Sequence, residues 1–112
     1  MARTRAPERT LLPSDEPLSL LRKDGTPVDD SPLSMPDDDV LVELHRRMVV
    51  GRRFDTQATA LTKQGRLAVY PSSRGQEACE VGSVLALRPT DWLFPTYRDS
   101  VALVTRGVDP AE

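Results

Sequence analysis

Apolar positions along the chain fall into three periodic groups separated by proline and glycine punctuation. Starting at Pro36, the acidic run Asp37-Asp38-Asp39 precedes Leu41, Leu44, Met48, Phe54, Ala58 and Leu61 at mostly helical spacing. Acidic residues there face the positive end of the helix dipole, so the pattern predicts a long helix, with Gly65 as its C′ stop. Gly51 lies inside it and costs about 1 kcal/mol relative to alanine. A neighbouring element must therefore pack closely at that point, or the helix bends. Residues 66–70 then read as a short strand or extended segment ended by Pro71. Ser73 followed by Gln76 makes a capping box, opening a second helix whose buried face would hold Ala78, Val81, Leu85 and Ala86, with Arg88-Pro89 ending it. Asp91-Trp92-Leu93-Phe94-Pro95 is extended and is the most hydrophobic stretch. Thr96 as N-cap with Asp99 at N3 opens a third helix running to Arg106 and stopped by Gly107.

The polar and proline-rich part lies ahead of these groups. Six of the ten prolines precede Asp37, and the short apolar islands at Leu11-Leu12 and Leu18 to Leu21 bury too little surface to offset the entropy of ordering them. Residues 1–36 are therefore expected to be a flexible arm and residues 37–112 the folding part. The fold class expected for this chain is mainly α: three helices with short extended links. At the other end, Asp109-Pro110-Ala111-Glu112 reads as N-cap, N1 proline and N3 glutamate, the opening of a further helix. That predicts the front portion of a longer protein.

Composition narrows the function classes. The 112 residues are 38% apolar with only five aromatics, which predicts a modest core. A net charge of −2 argues against a general polyanion binder. Arg46, Arg47, Arg52 and Arg53 form one basic stripe, but no aromatic residues interleave with them, so salt bridges or subunit contacts are expected rather than nucleic-acid binding. The lone Cys79 has no internal disulfide partner, no run approaches the roughly 20 apolar residues needed to span a membrane, and the start lacks a secretory h-region. A cytoplasmic protein without a membrane partner is expected. Cys79 is expected to be a reduced, buried thiol, and His45 a solvated residue on the long helix.

The strongest chemical signal is Tyr97-Arg98, placed in the first turn of the third helix. Unpaired N–H groups and the dipole favour an anion there, and a guanidinium adds a planar fork suited to phosphate oxygens. The same pair also reads as a solvated arginine beside a packing tyrosine. No residue stands out as catalytic and no group of residues as a metal site.

From Gln64 the run QGRLAVYPSSRGQEACEVGSVLALRPTDWLFPTYRDSVALVTRG resembles the alpha subunit of the decarboxylating first component of 2-oxo acid dehydrogenase complexes, of the branched-chain or pyruvate type. A Q-G-R turn, G-Q-E-A, D-x-x-x-x-x-Y-R-D and a terminal R-G follow in the family's order and spacing. The likeness covers residues 37–112. It implies the lead-in to an α/β thiamine-diphosphate-binding fold, with Tyr97 and Arg98 contacting the cofactor. It also implies a substrate entrance near residues 69–71. Branched-chain members often carry phenylalanine at the position of Val69 and an aromatic at Tyr70, while pyruvate-specific members place a histidine near Pro71; this chain follows neither pattern fully. Val69 and Tyr70 either line a pocket for an apolar acyl chain or pack beneath Trp92. Thr96 is a cap and a candidate pocket residue.

The resemblance further implies partners: a beta subunit, which supplies the carboxylate that activates the cofactor, and a lipoyl-bearing acyltransferase that receives the acyl group. The family's magnesium-binding G-D-G is absent from this sequence, so the metal ligands are expected outside it and the chain alone is expected to be inactive. The competing reading is a non-catalytic remnant that serves only as a subunit-contact segment.

Overall fold

A computed structural model describes residues 17–110. Its contacts separate two units, divided between Met35 and Pro36. The second unit contains three helices: α1 (Asp38–Lys63), α2 (Glu77–Leu85) and α3 (Ser100–Arg106). No strand occurs among the described residues; residues 66–68 are bends and 69–70 have no regular structure. The chain is mainly helical, as expected.

The long helix α1 begins and ends where the residue pattern placed it. Asp37 is its N-cap, Asp38 and Asp39 fill the first turn, and Gln64 is its C-cap, followed by Gly65 at φ +70°. Its buried residues are Gly51, Asp55 and Ala58. Spaced by four and three, they form one stripe against which the other two helices pack. Gly51 meets a close neighbour: a Cβ built on it would lie 2.5 Å from Val101 Cγ1 of α3. The glycine lets α3 approach to a distance that any side chain would prevent. Val81, Val84, Val101, Ala102 and Ala58 form the small core.

Two helix starts differ from the sequence reading. α2 begins at Glu77 with Gln76 as N-cap, and no side chain caps it. Ser73 is instead fully buried and engaged elsewhere. The buried face of α2 is Glu77, Glu80, Val81 and Val84, while Ala78, Leu85 and Ala86 are exposed. The apolar pattern put the face one residue out of phase because both glutamates turn inward to polar partners. α3 begins at Ser100 with Asp99 as N-cap. Thr96 N–H donates to Asp99 Oδ2 at 2.7 Å, one half of a capping box, while Thr96 Oγ1 accepts from the N–H of Arg98 at 3.4 Å and not from that of Asp99. These bonds close a separate turn ahead of the helix. Gly107, at φ +102°, ends α3 in the left-handed conformation.

In the first unit, residues 20–28, assigned to the flexible arm, carry local order. Leu21 and Pro27 form an antiparallel bridge, and Thr26 N–H donates to Asp24 Oδ1 at 3.0 Å. This Asx turn at Asp24-Gly25 is local chemistry that a composition argument does not register. The rest of the arm, residues 1–16, and the final Ala111 and Glu112 of the C-terminal capping box lie outside the described residues.

Candidate functional site

Asp55, in the middle of α1, is only 2% exposed, and its carboxylate organises the loop between α1 and α2. Oδ1 accepts from the Tyr70 hydroxyl at 3.0 Å, from Ser72 Oγ at 2.8 Å and from the Ser73 backbone N–H at 2.8 Å. A buried carboxylate is tolerated because each of these bonds is charge-assisted. Tyr70 is also held by an edge-on contact with Phe54, ring centroids 5.8 Å apart. Burial, then the bond to anionic Asp55, pushes the Tyr70 phenol well above its ordinary value.

The two inward glutamates of α2 fix the other elements. Glu77 receives the Arg52 guanidinium from α1 on Oε1 and the Gly75 N–H on Oε2 at 2.9 Å. The Arg52 bond holds its carboxyl down to about 2 against the desolvation that opposes it. Glu80 Oε2 accepts the N–H of Ala102 at 3.0 Å, which caps α3 from a neighbouring helix at the end where its dipole favours an anion. The start of α3 is thus already partly neutralised by a carboxylate, a feature no local sequence pattern revealed.

Tyr97 and Arg98 sit in the turn before α3 and not in its first turn, because the helix starts at Ser100, three residues later than expected. Arg98 is pinned at both ends. Its Nη1 donates to the Ser72 carbonyl at 2.9 Å, and its own carbonyl accepts from Ser73 Oγ. Nη2 lies 3.3 Å from the Tyr97 hydroxyl, and the guanidinium carbon stands 5.4 Å from the Tyr97 ring centroid. Tyr97 itself is 76% exposed. A guanidinium has five N–H donors, so these two bonds leave donors for a further acceptor, and the phenol hydroxyl beside it adds another. That donor set fits the oxygens of a phosphate group. The attraction comes from the side chains, because Glu80 occupies the helix end.

Next to this pair lies a cleft of about 650 Å³, whose walls include Phe54, Leu61, Leu67, Val69, Tyr70 and Tyr97. Val69 is 80% exposed. The structure therefore brings Val69, Tyr70 and Tyr97 together around one opening, while the exposed Thr96 is not among its lining residues. Trp92 does not cover Tyr70; it stacks on Phe94 at 6.3 Å, and both rings are more than 80% exposed.

The other candidate residues lie away from this opening. His45 is exposed. Cys79 is exposed, not buried as expected, because the inward turn of Glu77 and Glu80 rotates it to the outer face of α2. Of the arginine stripe, Arg46 and Arg47 pair with Glu43 at 3.4 and 2.6 Å, and Arg52 with Glu77. Arg106, at the end of α3, donates to the carbonyls of Arg88, Pro89 and Asp91 and closes the loop after α2. Among the described residues no group of histidine, cysteine or carboxylates is arranged to hold a metal ion, and no helix is long and apolar enough to cross a membrane.

Residues 45–112, which include the second half of α1, all of α2 and α3, and every residue of the Asp55–Arg98 network, match the family described as dehydrogenase E1 component. The chain belongs to this family. Among relatives of the dehydrogenase E1 component family, it is 42% identical over 110 residues to a 3-methyl-2-oxobutanoate dehydrogenase subunit alpha of Mycobacterium tuberculosis, covering 96% of this chain and 30% of that protein. It is 40% identical over 93 residues to a pyruvate dehydrogenase E1 component subunit alpha of Bacillus cereus, covering 83% of this chain and 25% of the relative. A Bacillus subtilis protein of the same name is 40% identical over 91 residues, 80% and 24% of the two chains. The chain thus spans less than a third of the length of these relatives. No solved structure matches it significantly.

Proposed function

We propose that this chain is a portion of the alpha subunit of a 2-oxo acid dehydrogenase, which with a beta subunit decarboxylates a 2-oxo acid on thiamine diphosphate in the cytoplasm and delivers the acyl group to a lipoyl-bearing acyltransferase. The observation that carries the reading is the pinned Arg98 beside the Tyr97 hydroxyl, at the rim of an apolar cleft, within the segment matched to the family. When bound, the cofactor supplies the electron sink for decarboxylation. The residues of this chain bind and orient: Arg98 and Tyr97 hold its diphosphate end, and Asp55, Ser72 and Ser73 hold Arg98. Magnesium ligands and the group that activates the cofactor come from outside this segment.

The acyl pocket belongs to the same reading. Val69 and Tyr70 face a cleft walled by Phe54, Leu61 and Leu67, and such walls favour a branched apolar acyl chain over the single methyl of pyruvate. The experiment is a decarboxylation assay on the complete alpha subunit assembled with its beta subunit, comparing 3-methyl-2-oxobutanoate with pyruvate. One extra buried methylene is worth about 10- to 200-fold in kcat/KM, and the branched substrate carries additional buried carbon over pyruvate, so a preference of at least that order for it is expected. Equal rates or a preference for pyruvate would refute the pocket assignment, and absence of decarboxylation of either would refute the enzyme reading in favour of a subunit-contact segment.

A further inference from the structure

The peptide unit joining Ser72 to Ser73 connects two opposite charges. Its N–H end points at Asp55 Oδ1, 2.8 Å away, and its C=O end accepts Arg98 Nη1 at 2.9 Å. A trans peptide is planar with its N–H and C=O directed oppositely, so one rigid group bridges a buried carboxylate on α1 and the guanidinium in the turn before α3. An anion on the N–H side polarises the peptide and makes its oxygen a better acceptor, and bonds in such chains reinforce one another. Asp55 also grips Ser72 Oγ from both carboxylate oxygens, at 2.8 and 3.0 Å. Ser73 Oγ holds the Arg98 carbonyl. Both ends of Arg98 are therefore referred to α1 through residues 72 and 73, and Asp55 is where that reference is anchored.

We propose that Asp55 is the positioning residue for Arg98, fixing and electrostatically backing its guanidinium across the Ser72-Ser73 peptide so that the free donors face the cofactor's diphosphate. This rests on the reading of Arg98 as a diphosphate ligand. Asp55 touches no ligand itself. Its role is distinct from simply tying a loop to a helix: its effect on cofactor binding passes through Arg98 and vanishes when Arg98 is absent.

The test is a double-mutant cycle in the complete alpha-beta assembly, reading the dissociation constant of thiamine diphosphate with Mg²⁺ by calorimetric titration. Arg98→Ala should weaken binding roughly 10- to 150-fold, as loss of a charge-assisted bond does. Asp55→Ala should weaken it by about 10-fold, and Asp55→Asn, which keeps a neutral acceptor for the Ser73 N–H, by only about 3-fold. In the Arg98→Ala background neither change at Asp55 should add more than about 2-fold. Should Asp55→Ala fail to assemble, the isosteric Asp55→Asn carries the same cycle with its smaller shift. Full additivity, or an unchanged constant for both Asp55 variants while Arg98→Ala binds weakly, overturns the positioning role and leaves the Arg98 assignment standing. An unchanged constant for Arg98→Ala overturns the Arg98 assignment, and the positioning role with it.

Discussion

Replacing Gly51 with alanine sets two effects of opposite sign against each other. In an isolated helix the change is favourable by about 1 kcal/mol, since alanine loses less backbone entropy. In this fold the new methyl would lie 2.5 Å from Val101 Cγ1 and 3.2 Å from Cγ2, whereas carbon contacts become favourable only near 3.5 Å. About 1 Å must be found. Val101 is fully buried and β-branched, with one strongly preferred rotamer in a helix, so α3 as a whole has to retreat. Overpacking of this kind costs about 1–3 kcal/mol. The net expectation is a destabilisation of about 1 kcal/mol, with the helix-propensity gain subtracted. Val101→Ala alone should cost about 2 kcal/mol as a cavity, but the double variant should recover about 1 kcal/mol or more of the summed loss, because the clashing methyls are gone. Urea denaturation of the chain followed by helical circular dichroism measures all three. A Gly51→Ala chain that is more stable than the parent, with strictly additive behaviour in the double variant, would show that α1 and α3 are not in contact at this point.

Glu77 makes stability pH-dependent in a defined direction. Its carboxyl is held at about 2 in the folded chain against an ordinary 4.5, so its contribution is fully present above about 4.5 and is lost as the pH falls toward 2. Glu77→Gln should lower stability near neutrality by about 2 kcal/mol, having lost a charged partner, and should flatten the acid limb of the unfolding curve; an unchanged limb would rule Glu77 out as its source. Tyr70 should stay protonated at alkaline pH where an ordinary phenol ionises, because burial and Asp55 both disfavour the phenolate. Ultraviolet titration should therefore lose only its latest-ionising component in Tyr70→Phe, and loss of an earlier component would contradict the Asp55 bond. The stacked and exposed Trp92 and Phe94 should bind an environment-sensitive apolar dye and promote association of the isolated chain. Trp92→Ser with Phe94→Ser should abolish most of that signal, and full retention would place the apolar surface elsewhere.

Features with a local cause are legible in the residues alone. The acidic start of α1, Gly65 and Gly107 as stops, and the Thr96-Asp99 turn all depend on residues within one turn of each other, whereas at Gly51 the residues alone leave a close neighbour or a bend open until Val101 of α3 is brought against it. What is not legible depends on partners distant in sequence. Glu77 and Glu80 read as outward residues of an amphipathic helix until Arg52 and the N–H of Ala102 are brought to them, and their turn inward is what exposes Cys79 and Leu85. Ser73 matches a cap by spacing, but Asp55, 18 residues earlier, claims its N–H. The anion preference of the Arg98 turn follows, by sequence, from a helix end that Glu80 in fact occupies, so anion binding there falls to the side-chain donors of Arg98. Asp55 itself gives no signal: a single aspartate on a polar helix is ordinary until three donors converge on it.

The central claim is that Arg98 holds the diphosphate of thiamine diphosphate. The direct measurement is its dissociation constant in the complete alpha-beta assembly for the parent, Arg98→Ala, Arg98→Lys and Arg46→Ala. Arg46 is an exposed arginine that pairs with Glu43 on its own helix and serves as the charge-matched control, whereas Arg106 is unsuitable because it closes the loop after α2. The expected result is a loss of roughly 10- to 150-fold for Arg98→Ala, partial recovery in Arg98→Lys, which keeps the charge but not the fork, and no change for Arg46→Ala. Equal affinity in Arg98→Ala, Arg46→Ala and the parent would contradict it.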